Sequence, residues 1–427
     1  MENLKNKAIS ILRWSEKYTK TDMMYLAKGS FWAILSQIVV SFSTFLLAIA
    51  FAHYVSKEAY GQYKFILSIV SILSTLTLTG IGVGVLRSVS LGYEGTMQYA
   101  FWQNIKWSGL FFVGAGIVSI YYFKQGNITI ALSLLIAGCL SPFFYSSNLY
   151  SSYLSAKKDF KRNSIYFDMI GNTFPSLSLF ATMFFTNNPF WLVTVYFVSN
   201  TLIGIILYLK IAKIYKPNKS VDPEMMSYGK HLSFMNILNG VANNIDQILL
   251  FHYFGAVQLA TYNFATALPD QIKGPMKNLT NMIFPKFTER SDKEIKENIV
   301  HKMLVLFAVS IILIICYILI APFIFHTFFP KYNESIFYSQ LFSISLLYIV
   351  SIPTNTYLIA KKKIKEQYII NISTSILQIV VLLIAIIKWG LVGLIIARIF
   401  IRMTITLSSI ILYYNIKKTI NLEERIH

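Results

Sequence analysis

Lys273 and Lys277, and again Arg398 and Arg402, stand four residues apart in stretches that are otherwise apolar. Spacing of i, i+4 puts each pair on one helix face, so each pair makes one charged stripe. A basic side chain at mid-bilayer costs about 2.5–3.5 kcal/mol, so four facing lipid would cost on the order of 10 kcal/mol. They must therefore face an aqueous cavity, a partner or an anion. Acids in the same kind of stretch are few: Asp168, Asp246 and Asp270. Asp246 follows Asn243 and Asn244 and precedes Gln247, a polar cluster suited to charge balancing or to coupling an ion. Asp270 precedes Lys273 by three and Lys277 by seven, so it shares their face. A salt bridge within that helix accounts for Lys273 as readily as a ligand does. Arg398 has a bland reading too, snorkelling or capping backbone carbonyls. If Asp246 is all that remains for Lys277, Arg398 and Arg402, at least two positive charges stay unbalanced. A cavity with surplus positive charge binds an anion, and a lipid-facing setting favours an amphipathic one, such as a lipid-linked phosphate. Arg87 ends an apolar stretch and would either greet a headgroup there or serve as a membrane anchor.

The elements that must carry these residues follow from composition. Of 427 residues, 55% are hydrophobic and only 13% charged, with mean hydropathy +0.55. Those values belong to membrane proteins. Cys139 and Cys316 lie in apolar stretches and suggest neither a disulfide framework nor a zinc site. The first thirty residues are polar, so no cleavable signal peptide is expected. Spanning helices of about 20 apolar residues are expected near 31–53, 64–86, 101–122, 129–150, 164–186, 190–212, 230–252, 257–285, 302–327, 335–359, 367–387 and 390–414. The eighth is the weakest, because Pro269, Asp270, Lys273, Pro275 and Lys277 fall inside it.

The distribution of Lys and Arg supports that count. Twenty-nine of the 38 basic residues fall in segments that alternate onto one side. Five lie on the other: Lys57, Lys64, Lys124, Lys331 and Lys388. The rich side is expected to be cytoplasmic, with both termini there. Most of the net charge of +19 then reads as a topology signal near anionic headgroups, and no nucleic-acid partner is expected. Residues 1–29 form a cytoplasmic amphipathic segment, with Ile9, Ile11, Leu12 and Trp14 beside Lys5, Lys7 and Lys17. An interfacial helix and a solvated tail fit it equally.

The chain also repeats itself. His53-Tyr54 and Tyr63-Lys64-Phe65 match His252-Tyr253 and Tyr262-Asn263-Phe264, each 199 residues on. Tyr153-Leu154-Ser155-Ala156-Lys157-Lys158 matches Tyr357-Leu358-Ile359-Ala360-Lys361-Lys362, 204 residues on. Each repeat holds six spans, an even number, so both halves enter the membrane in the same direction. Their relating axis runs along the membrane normal. The expected organisation is a six-helix lobe at 30–214, a cytoplasmic linker at 215–229, a second six-helix lobe at 230–414 and a cytoplasmic tail at 415–427.

Other chemistries find little support. The six histidines are scattered, without metal-ligand spacing. Gly80-Ile81-Gly82-Val83-Gly84 lacks the strand context and lysine of a nucleotide loop and reads as helix packing or a hinge. No cofactor and no ATP hydrolysis are expected, so energy comes from an ion gradient, the membrane potential or substrate depletion. The outer connections are short, unlike those of glycan polymerases and ligases.

Several segments resemble a known family. Tyr54-Val55-Ser56-Lys57-Glu58-Ala59-Tyr60-Gly61-Gln62-Tyr63 is similar to the L-G-P-E-E-Y-G-x-Y connection of oligosaccharide flippases. Asp246 through Asn263 resembles the start of their second half. Phe284-Pro285-Lys286-Phe287-Thr288, Leu358-Ile359-Ala360-Lys361-Lys362 and Trp389-Gly390-Leu391-Val392-Gly393-Leu394 resemble later motifs, in the same order. The family is that of the Wzx-type (O-antigen and capsule) flippases, in the multidrug/oligosaccharidyl-lipid/polysaccharide exporter superfamily. The resemblance implies an all-α, MATE-like protein with twelve transmembrane helices in two pseudo-symmetric six-helix lobes around a cationic cavity. It also implies an inner-membrane flippase, not an enzyme, moving undecaprenyl-diphosphate-linked oligosaccharides outward. A coupling ion and glycan-assembly proteins are the further partners expected. Lys273, Lys277, Arg398, Arg402 and Arg87 would then contact substrate. Asp246, Asp270, Asn243 and Asn244 would balance charge or couple an ion. One departure is that the basic residues concentrate in the second half. A MATE-type drug/cation antiporter is the alternative, though it predicts cavity acids in excess. A membrane enzyme of glycan assembly is a weaker one.

Overall fold

The computed structural model describes the backbone of residues 23–272, 292–360 and 364–426, and side chains within 31–272, 299–358 and 368–414. Lys273, Lys277, the amphipathic segment before Met23 and the 284–288 motif lie outside the described residues. The described elements are all helical. Among the described residues, seven helical stretches are long and apolar enough to cross a membrane, including Phe31–Tyr54, Pro189–Tyr215 and Ile299–Phe328. The stretch Tyr368–Tyr414 has 47 residues and is folded back on itself at Gly390. That residue adopts φ 57°, in the region open to glycine. Gly255, at φ 80°, turns the Met225–Gln271 helix in the same way. These two glycines make the turns between the seventh and eighth, and the eleventh and twelfth, expected spans.

Several expected spans are helical but broken. The second runs as Lys57–Ser74 and resumes as Ile81–Ser90. Its start is fixed by Ser56, whose side chain accepts from the Ala59 amide. Its break follows from composition. The Ser74, Thr75 and Thr77 hydroxyls donate to the Ser71, Ile72 and Ser74 carbonyls at 2.6–2.7 Å, competing with the helical ladder. The fifth carries a π-helical stretch at Ser164–Ile170, around Asp168. The tenth carries a 3-10 stretch at Ile344–Ser351. Such departures from α geometry cluster where side chains must be aimed.

The second span is the seam of the molecule, for it packs along the Met225–Gln271 helix for most of its length. A Cβ on Gly61 would lie 1.9 Å from the Ala256 carbonyl oxygen, so the two backbones touch. Phe65 stacks on Phe251 with centroids 3.7 Å apart. Further along, Gly80 donates its amide to Ser233 Oγ at 2.9 Å, and a Cβ there would meet Gly229 O at 2.7 Å. The glycine triplet at 80–84 is thus a packing surface. The largest apolar core crosses this seam, joining Phe51, Tyr63 and Phe65 to Leu250, Phe264, Phe329 and Leu394.

The linker is tied down. Asn218 Oδ1 accepts the Glu94 amide at 3.1 Å, and its Nδ2 donates to Gly92 O at 2.9 Å. Asp222 accepts the Ser88 hydroxyl at 2.6 Å. That hydrogen bond, chiefly, holds the Asp222 carboxyl below its ordinary range. Glu94 is likewise lowered, foremost by its hydrogen bond from Lys157.

Candidate functional site

Arg398 and Arg402 lie one turn apart on the last spanning helix and reach different neighbours. Arg398 places Nη2 2.6 Å and Nε 2.8 Å from the same Asp246 oxygen, Oδ2. Its Nη2 also donates to the Asn243 carbonyl at 2.8 Å. Tyr262 donates its hydroxyl to that same Asp246 oxygen. The Asp246 side chain is 2% exposed and that of Arg398 16%. The other oxygen, Oδ1, is buried without a hydrogen-bond partner among the described residues. The cluster therefore joins three spans: the seventh by Asp246, the eighth by Tyr262 and the twelfth by Arg398.

Arg402 reaches the eighth and tenth spans. Its Nη2 lies 2.6 Å from Asp270 Oδ1, and its Nη1 donates to Ser345 Oγ at 2.6 Å. The guanidinium sits over the Phe342 ring, 4.5 Å from the centroid, a contact that a flat delocalised cation makes well. Ser345 belongs to the 3-10 stretch, which aims its hydroxyl at the arginine.

Asp246 pairs with Arg398, and Asp270 takes a cation from another span, Arg402; Lys277, the third cation weighed for Asp246, lies outside the described residues. Each buried arginine has its own acid, because a buried charge that lacks a partner is far costlier than a paired one. The carbonyl capping considered for Arg398 is present, but as an addition to its ion pair. The remaining expected residues are placed as follows. Asn243 contributes its carbonyl to Arg398, while its Nδ2 donates to Asn239 Oδ1 at 2.9 Å. Asn244 donates to the Gly240 carbonyl one turn back. Arg87 stands at the linker, 3.7 Å from Glu224 and over the Tyr228 ring, with neither acid of the arginine cluster as partner.

Two features escaped sequence reasoning. Tyr262 and Ser345 complete the cluster, yet hydroxyl residues abound in this chain and nothing marked these two. At the end of the bundle away from the linker, the halves are tied by polar contacts. Lys57 Nζ meets Glu334 Oε1 at 2.7 Å and Lys331 donates to His53 O at 2.8 Å, while Thr261, in the same half as Glu334, donates its hydroxyl to that same Glu334 oxygen at 2.7 Å. Beneath them Tyr60, Phe264 and Tyr332 pack together, with Phe264 and Tyr332 stacked at 3.8 Å.

Polar side chains thus converge inside a bundle otherwise built for lipid, and the order of elements around them is shared with known transporters. A model of the family described as polysaccharide biosynthesis protein matches residues 26–289, more than half of the chain. The chain belongs to that family. Among curated proteins no relative matches its sequence. Among solved structures, the MATE multidrug transporter DinF-BH superposes with TM-score 0.67 at 12% identity, over 92% of this chain and 95% of that one. The lipid II flippase MurJ, in an inward closed conformation, gives TM-score 0.66 at 13% identity, over 92% of this chain and 87% of that one. A MOP superfamily transporter from Pyrococcus furiosus gives 0.61 at 14%, over 91% and 96%. At such identities the likeness is one of fold. This member of the polysaccharide biosynthesis family is therefore an all-α, multi-pass membrane protein of MATE-like architecture.

Proposed function

We propose that this protein is a flippase, carrying undecaprenyl-diphosphate-linked oligosaccharide repeat units from the cytoplasmic to the outer leaflet by alternating access. The observation that carries the reading is the Arg398–Arg402 stripe, held inside the bundle of a polysaccharide-family protein. In this reading a diphosphate competes with Asp246 and Asp270 for the two guanidinium groups. Arginine suits that exchange, because its planar fork accepts a carboxylate or a phosphate in the same geometry. The carboxylates keep the arginines compatible with a membrane interior while no substrate is bound. Lys273 and Lys277, which follow Asp270 in sequence, add the surplus positive charge that a diphosphate needs. Arg87, at the linker, receives the headgroup as it enters.

The protein lies in the inner membrane with the linker and both termini in the cytoplasm, as the excess of Lys and Arg on that side argues. Its halves, 30–214 and 230–414, rock about the seam of the second and seventh spans. The contacts of Lys57 with Glu334 and of Lys331 with His53 O then belong to a state closed at the outer end. Drug/cation exchange is less well supported, because Asp246 and Asp270 are each engaged by an arginine, and an organic cation would have to displace it. Nor does any described residue cluster call for covalent chemistry, so transport rather than glycan assembly is the proposed activity.

The test is reconstitution into proteoliposomes loaded with undecaprenyl-diphosphate-linked oligosaccharide. Appearance of the glycan at the opposite leaflet, unchanged covalently, supports the reading. Transfer no faster than in protein-free vesicles contradicts it.

A further inference from the structure

Three asparagines line one side of the seventh span. Asn236, Asn239 and Asn243 are all exposed, although they sit within a helix that packs in the bundle. A carboxamide facing lipid without a hydrogen-bond partner is costly, so where they point matters. The neighbours of the same helix fix the direction. Ser233, Gly240 and Phe251 meet the second span. Met235 and Ala242 meet the eleventh, through Tyr368 and Gln378, and Asp246 meets the twelfth. At 3.6 residues per turn, the three asparagines occupy the arc between those two sets. They face the gap between the halves and not the lipid, which Phe234, 70% exposed on the other side, meets instead.

The row is continuous with the arginine cluster. Asn243 gives its carbonyl to Arg398 and its Nδ2 to Asn239 Oδ1. Asn236 lies a further turn toward the linker, its carboxamide without a partner among the described residues. From Asn243 to Asn236 the row extends about 10 Å along the helix axis. Each carboxamide offers both a donor and an acceptor and carries no charge. That suits a neutral, hydroxyl-rich ligand, which can use both, better than an anion, which can use only the donor.

We propose that Asn236 and Asn239 hydrogen-bond the sugar hydroxyls of the cargo, in register with the diphosphate held at Arg398 and Arg402. This rests on the flippase reading and adds to it a place for the carbohydrate: the seventh span, on the linker side of the arginines. Phosphate binding would then be common to all substrates, and the asparagine row would contribute preference among glycans.

The experiment measures binding to the full chain in nanodiscs. The probes are undecaprenyl diphosphate, and the undecaprenyl-diphosphate-linked oligosaccharide pool extracted from the cells that make the protein. The variant is Asn236→Ala with Asn239→Ala, leaving Asn243 in place. The wild type is expected to bind the glycosylated pool about ten-fold more tightly than the bare lipid, the equivalent of one or two hydrogen bonds. The variant is expected to lose that advantage while holding the bare lipid as before, which also shows that it is folded. Equal wild-type affinity for both probes, or an advantage that survives in the variant, overturns the proposal. If the wild type binds neither probe, the flippase reading itself fails.

Discussion

Arg402 of the twelfth span meets Asp270 of the eighth at 2.6 Å, one helical turn from the place where Arg398 meets Asp246 of the seventh. Two ion pairs therefore stitch three spans together inside the bundle. Each acid serves as a stand-in for the anion that the arginines are proposed to carry.

The first prediction concerns the stitch itself. Asp246→Asn leaves Arg398 buried beside a neutral amide, and should destabilise the protein by about 3–5 kcal/mol. Asp246→Asn combined with Arg398→Leu should cost less than the two single changes added together. Thermal unfolding in detergent checks both, and strict additivity would show that the pair does not act as one.

Arg402→Lys keeps the charge but gives up the flat contact with Phe342 and the forked hold on Asp270 and Ser345. Transport should fall about ten-fold, as the loss of a charge-assisted hydrogen bond implies. Initial transport rates in proteoliposomes decide this. A rate equal to that of the wild type would mean that charge alone suffices.

The contacts away from the linker should respond to pH. The Glu334 carboxyl is held below its ordinary 4.5, first by its hydrogen bond from Lys57, with further support from the Thr261 hydroxyl against the opposing effect of burial. A carboxylate lowered in this way favours the closed arrangement above its ordinary value. That contribution is lost as pH falls through the lowered one. Reactivity of a cysteine introduced at Thr266 toward an impermeant thiol reagent, divided by that of a free thiol at the same pH to remove the loss of thiolate, should therefore rise in acid. Glu334→Gln should give high reactivity at every pH, and an unchanged pH profile in that variant would contradict the assignment.

Glycines should divide by their surroundings. A Cβ at Gly61 would lie 1.9 Å from the Ala256 backbone, so Gly61→Ala should cost about 1–3 kcal/mol by forcing the seam apart. At Gly116 a Cβ meets nothing within 4 Å, and Gly116→Ala should be neutral or stabilising by about 0.5–1 kcal/mol. Melting temperatures of the two variants give the comparison.

The sequence was most readable where membrane cost made residues conspicuous. Arg398 and Arg402 stood out because an apolar stretch cannot hide a guanidinium, and i, i+4 spacing put them on one face. Their partners were harder to assign, since Asp246 and Asp270 lie 152 and 132 residues away and helix periodicity says nothing of which spans adjoin. Arg402 reaches Asp270 from another span, which i, i+3 spacing cannot reveal, and its helix neighbours Lys273 and Lys277 lie outside the described residues. The break after Ser74 was also hidden. Hydropathy sees 64–86 as one apolar run, whereas the serine and threonine hydroxyls act on the backbone beneath it. The turn at Gly255 falls in a short connection read from the sequence, and that at Gly390 on the first residue of the expected twelfth span; at both, a glycine makes the tight reversal without strain.

The most direct measurement is transport of undecaprenyl-diphosphate-linked oligosaccharide by a variant in which Lys273, Lys277, Arg398 and Arg402 are all replaced by glutamine. A folded variant whose transport falls to the rate of protein-free vesicles is the predicted result. Full transport by that folded variant would contradict the cationic site.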